Sequence, residues 1–227
     1  MTSLRSISRD ASAVSDRRRL RVAVVTEYYY PHIGGICENV HHFAAEARAR
    51  GHHVDVITGR IAGVPPRPNV ITIPMSATVQ ANGSTCRLTL GRGLRSRVRE
   101  VLRAGGYDVV HAHAPLAPSL PMIAIEEAEC PVASTFHAYH EFSVAYALGR
   151  RYFQGLMDRI DAKLPVSAAA RDAVAKYFSA EWTIVPNGID TARFTPTAAR
   201  APARPRRAGD RRTDPAGDGA DDRDLAA

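Results

Sequence analysis

Between residues 20 and 196, short apolar runs alternate with longer stretches of helical period. That alternation restricts the chain to few architectures. The runs at 21–26 (RVAVVT), 53–58 (HVDVIT), 70–73 (VITI), 108–111 (DVVH), 131–136 (PVASTF), 162–166 (AKLPV) and 182–185 (WTIV) read as strands. Segments 38–50, 93–103, 118–128, 150–158 and 168–178 read as helices. In 38–50 (ENVHHFAAEARAR), Val40, Phe43, Ala44 and Ala47 share one face, and Gly51 ends the helix. Strands that are apolar at successive positions need cover on both faces, and strand–helix–strand units return in parallel. The expected fold class is α/β: a Rossmann-like, doubly wound parallel sheet over residues 20–196. Ligands of such sheets bind outside the carboxyl ends of the strands. The loops that matter therefore follow 21–26, 108–111 and 131–136.

The flanks differ from this segment. Residues 1–19 carry Arg and Ser without a continuous apolar stretch, so a disordered extension is expected rather than a secretory signal. Residues 197–227 hold seven Arg and six Asp, with Leu225 as the one large apolar side chain. Nothing there can build a core, so a disordered tail is expected. The same composition resembles GC-rich coding sequence read out of frame. No run of 18 apolar residues occurs, and no transmembrane helix is expected. Cys37, Cys86 and Cys130 are odd in number and form no CxxC pair. That disfavours a disulfide scaffold or a cysteine-built zinc site and points to a reducing, cytoplasmic compartment. A net charge of +7 suits an anionic partner such as a nucleotide, a phosphate or an acidic lipid surface. No nucleic-acid-binding motif accompanies it, so nucleic acid is not expected. Oligomeric state is not written in the sequence.

Four features could carry chemistry. Gly34 and Gly35 follow the first strand and precede a helix, where glycines let backbone N–H groups approach a phosphate. The spacing is neither G-x-G-x-x-G nor a Walker A loop, which disfavours a nicotinamide-dependent oxidoreductase and leaves a plain turn as the alternative. His111 and His113 share a strand face, but no carboxylate or third ligand adjoins them in sequence, so no metal site is expected. His137 directly follows a strand; it suits a hydrogen bond to a sugar hydroxyl or phosphate, and equally a packing role. Tyr139, His140 and Glu141 extend that polar loop. In 93–103, Leu94, Val98, Val101 and Leu102 share a face beside a stripe of Arg95, Arg99 and Arg103, with Arg97 nearby. Such a helix either packs on a core with its arginines solvated or lies on an anionic membrane.

Taken together, YYPHIGGICENVHHFAAEARARGHHVDVIT, YDVVHAHAPLAPSLPMIA, PVASTFHAYH, LPVSAAARDAV and IVPNGIDTARFTP resemble, in content and order, the N-terminal domain of family 4 glycosyltransferases of the GT-B fold. NGSTCRLTLGRGLRSRVREVL resembles the phosphatidylinositol mannosyltransferase subgroup. The resemblance implies a retaining transfer of mannose or another hexose from a nucleotide sugar, GDP-mannose or a UDP-sugar, to a lipid-linked or small-molecule acceptor. It implies no cofactor and no protein-held metal. It places Gly34 and Gly35 at the donor diphosphate, His137 at the transferred sugar as the catalytic-region residue, and Tyr28 at the acceptor. It makes Arg95, Arg97, Arg99 and Arg103 a membrane-association surface, with peripheral attachment to the inner face of the plasma membrane. Two departures stand out. The family's second Rossmann-like domain, which follows the PNGID linker and carries an E-x7-E pair, has no counterpart here, so a truncated chain inactive alone is expected. Phe142 stands where the mannosyltransferases place a Lys. The alternative is a non-catalytic membrane- or partner-binding domain that reuses the fold.

Overall fold

The structure, a computed structural model, describes residues 18–74, 76–81, 84–116, 119–137 and 144–189. Residues 1–17 of the expected 1–19 extension, the expected tail 197–227, the loop residues Tyr139, His140, Glu141 and Phe142, and Pro118 lie outside the described residues. The elements are β1 (Arg21–Val25), α1 (Gly35–Ala49), β2 (His53–Gly59), β3 (Val70–Ile73), β4 (Ser76–Ala81), β5 (Ser84–Thr89), α2 (Leu94–Gly105), β6 (Val109–His113), α3 (Leu120–Glu127), β7 (Val132–Phe136), α4 (Val144–Leu148), α5 (Arg150–Asp158), β8 (Ala162–Pro165) and α6 (Ala168–Ala175). Six strands form one parallel sheet in the order β3-β2-β1-β6-β7-β8. The expected α/β fold is therefore present.

Alternation along β1 assigns the two faces. Ala23 and Val25 pack with Ile57, Val110, Ala112, Val132 and Phe136 against Leu94 and Val98 of α2, Leu120 and Ile125 of α3, Met157 of α5 and Val174 of α6. Val22 and Val24 pack with Val54 and Val56 against Val40 and Ala44 of α1. Thus α2, α3, α5 and α6, with Tyr146 of α4 packed against their cluster, cover one face, and α1 covers the other over β1 and β2. Beside α1, Val109, His111, Ala133 and Leu164 line the floor of a groove of about 400 Å³ whose wall includes Phe43. Phe43, expected to be core, is 37% exposed for that reason.

Three local expectations are corrected. Residues 182–185 are not a sheet strand. The N–H groups of Thr183 and Val185 donate to the carbonyls of Lys163 and Pro165 at 3.0 Å, and Pro186, with no N–H, cannot extend that ladder. The antiparallel pair β4–β5 occupies a stretch read as carrying no element. It alternates polar and apolar residues around Asn82-Gly83, a dipeptide with hairpin chemistry. The strand expected at 108–111 begins at Val109 and runs on to His113, so its end lies two residues later than expected and both histidines lie within it, on the shared strand face their spacing implied.

Candidate functional site

The chain steps outward from β1 to β2 and β3, then returns to place β6 on the other side of β1. The strand order therefore reverses between β1 and β6, and a crevice opens at the carboxyl ends of such a pair. The loop from β1 ends at Gly34 and Gly35, where α1 begins, His113 ends β6, and His137 lies one residue past β7. Gly34 caps α1 in an extended conformation without a side-chain cap, so the first N–H groups of the helix are open to a ligand. A Cβ built on Gly34 or Gly35 would meet nothing within 4 Å. Asn39 Nδ2 donates to Asn187 Oδ1 at 2.9 Å, which ties the Pro186-Asn187-Gly188 stretch to α1 near its N-terminus.

Across β6 and β7 the rings form a row. His111 Nε2 lies 2.8 Å from Thr135 Oγ1, and Phe43 meets the His111 ring edge-on. The His111 and His113 ring centroids are 4.4 Å apart. His113 Nδ1 lies 3.0 Å from His137 Nε2, with the two ring planes 19° apart. His113 is buried, and among the described residues its Nε2 has no hydrogen-bond partner. Burial disfavours the imidazolium form of all three. It pulls His111 and His137 down to about 4 and His113 well below the usual histidine range, with neighbouring imidazoles adding to the effect on His111 and His113. The row is therefore neutral at pH 7. Among the described residues, no group of three His, Cys, Asp or Glu side chains is arranged to hold a metal ion.

Glu27, two residues past β1, was not singled out from the sequence. It is 5% exposed, and its carboxylate accepts from Thr89 N (3.1 Å), Thr89 Oγ1 (2.7 Å) and Leu120 N (2.8 Å). The β1 exit thus ties down the end of β5 and occupies the start of α3 with the protein's own anion. An acidic residue directly after an apolar strand was the available signal. Tyr28 follows, with its N–H donating to Thr26 Oγ1 at 3.1 Å and its ring 5.1 Å from that of His32. Tyr30 OH donates to Glu38 at 2.5 Å, which pushes the phenol up to about 12.

The arginines of α2 sit apart from this rim and are ion-paired. Arg95 meets Glu126 and Glu127, Arg99 reaches Glu127 at 2.5 Å, Arg103 reaches Glu129 at 2.5 Å, and Arg97 pairs with Glu100 at 2.8 Å. The Glu127 carboxyl is held below its usual range, first by the hydrogen bond from Arg99 and also by Arg95. The basic stripe is thus largely a seam between α2 and the acidic end of α3.

Comparison with known proteins converges on one family. Residues 33–193 match Glycosyltransferase Family 4. A phosphatidyl-myo-inositol mannosyltransferase of Mycolicibacterium smegmatis is 31% identical over 179 residues, covering 77% of this chain and 45% of its own. A glycogen synthase of Mycobacterium tuberculosis is 31% identical over 214 residues, covering 81% and 51%. A solved glycosyltransferase from Rickettsia africae superposes with a TM-score of 0.53 at 14% identity, covering 79% of this chain and 46% of that one. Anabaena HepE, solved in complex with UDP-glucose, gives 0.50 at 17% identity, covering 77% and 45%. These structural likenesses show the fold, that of GT-B glycosyltransferases. The chain spans about half the length of the curated relatives it matches. With the family match covering well over half of it, this chain belongs to Glycosyltransferase Family 4.

Proposed function

We propose that the chain forms the acceptor-side half of a retaining glycosyltransferase, moving mannose or another hexose from GDP-mannose or a UDP-sugar to a lipid-linked or small-molecule acceptor. The observation that supports this reading is that the uncapped α1 terminus follows β1 and that His137, bonded to His113 at the end of β6, follows β7, all on the carboxyl edge of the sheet where the strand order reverses. The amides at Gly34 and Gly35 receive the diphosphate, whose negative charge grows as the sugar departs. His137, neutral at pH 7, hydrogen-bonds the sugar. Tyr28 flanks the acceptor. The mannosyltransferase and glycogen synthase relatives support hexosyl transfer.

Nucleotide-sugar titration followed by NMR tests this. UDP-glucose or GDP-mannose should shift the Gly34 and Gly35 amides and the His137 ring. No shift at millimolar ligand overturns the reading. Gly34→Ala fits the chain's own space, so it should keep the melting temperature and lose the response. Because the chain spans about half the length of its relatives, its turnover alone is expected to be negligible; sugar transfer by the 227-residue protein would refute that. Attachment to an anionic membrane through α2 is a finer proposal, in the weak form that paired guanidiniums allow.

A further inference from the structure

The row of imidazoles contains one asymmetry that fixes where its protons sit. His113 and His137 share a single hydrogen bond, Nδ1 to Nε2 at 3.0 Å, and either ring could be the donor. If His137 donated from Nε2, His113 would accept at Nδ1 and, being neutral, would carry its proton on Nε2. That atom is buried and meets no acceptor among the described residues. A buried N–H without a partner is the rarer and costlier defect; an unused lone pair is better tolerated. If His113 donates from Nδ1, its bare Nε2 leaves only a lone pair unmatched. His137 then accepts at Nε2 and keeps its proton on Nδ1.

We propose that His113 is the positioning residue of His137, holding it in the Nδ1–H tautomer so that it meets a ligand as a neutral hydrogen-bond donor and not as a base. The support behind His113 is rigid. It lies within β6, flanked by His111, whose ring is in turn fixed on Thr135 and Phe43. His137 is the more exposed member, one residue past β7, where its remaining nitrogen is the one available to a ligand. Its Nε2 is already engaged, so Nδ1–H is what it can offer a sugar or phosphate oxygen. This inference rests on the functional reading above for what His137 touches, but not for its tautomer.

Long-range proton–nitrogen NMR spectra of the full chain at pH 7, with no ligand added, test it. His137 should show a protonated Nδ1 and a bare Nε2, and His113 likewise. In His113→Asn, the side-chain amide N–H stands where Nδ1–H stood, and the His137 tautomer should be retained. In His113→Phe the donor is gone, and His137 should shift toward the Nε2–H form that an unconstrained side chain favours. A wild-type His137 with its proton on Nε2 overturns the proposal. So does an unchanged Nδ1–H form in a folded His113→Phe variant. If that variant does not fold, the wild-type and His113→Asn spectra decide by the same criterion. UDP-glucose added afterwards separates the two claims: a confirmed tautomer with His137 unmoved by ligand counts against the functional reading alone.

Discussion

Replacing Glu27 with Gln would turn an NH2 group toward N–H and O–H donors that now share a carboxylate. A buried group that loses its partner costs roughly 1–3 kcal/mol, so Glu27→Gln should lower the unfolding free energy by that amount, read as a lower urea midpoint at unchanged slope. The histidine row makes a second prediction. Unfolded histidines take up protons near 6.5, whereas folded His111 and His137 wait until about 4 and His113 lower still. Across that window the unfolded chain binds more protons, so stability falls as pH drops from about 6.5 toward 4. The slope is up to about 1.4 kcal/mol per pH unit for each fully buried histidine, and less for His137. The charged pair that α1 brings to the adjoining groove, Glu46 and Arg50, is mutually compensated and leaves that sign intact. Urea unfolding between pH 6.5 and 5 checks it, and a flat midpoint would refute it. At this scale the sequence was partly legible. Gly34, Gly35 and His137 announce themselves by following strands. The bond between His113 and His137 joins residues 24 apart, and no local pattern states which strands become neighbours.

Among the elements, α2 and α3 are joined by ion pairs whose partners sit on separate helices. A hydrophobic stripe with an arginine face is visible in α2 alone, but the acidic residues that answer it belong to another segment. Hence its solvated-arginine or membrane-facing alternatives could not be resolved by period. Neutralising α3 with Glu126→Gln, Glu127→Gln and Glu129→Gln together should free three guanidiniums. If α2 faces an anionic bilayer, binding to vesicles containing phosphatidylserine should then rise and weaken again with added salt. Co-sedimentation that is identical for the triple variant and the wild type would count against α2 as the membrane surface. The same variant should be less stable, because Glu127 is 7% exposed and receives two guanidiniums. β1 was legible because burial on both faces writes an unbroken apolar run over Val22–Val25, and β2 because Val54, Val56 and Ile57 hold the pattern around Asp55. The β4–β5 pair was not, since its alternating Ser and Thr resemble loop composition.

Across the whole molecule, a parallel α/β sheet follows from the run of strand–helix units, but the order β3-β2-β1-β6 and the unequal covering of the two faces do not. Every helix pattern looked equally able to fall on either side. Among the described residues, α1 is the helix that packs against Val22 and Val24, and the floor beyond it lines an apolar groove. The central position of β1 also has a consequence in time. One neighbour, β2, is made soon after it, but the other is not: the Arg21 N–H bonds Asp108, 87 residues later. At translation speeds of about 5–20 residues per second, that interval is roughly 4–17 s. During it, a nascent chain presents the open edge of its most apolar strand with no mate yet synthesised. Soluble yield in a cell should therefore follow the supply of chaperones at the ribosome more closely than it follows the stability of the finished fold.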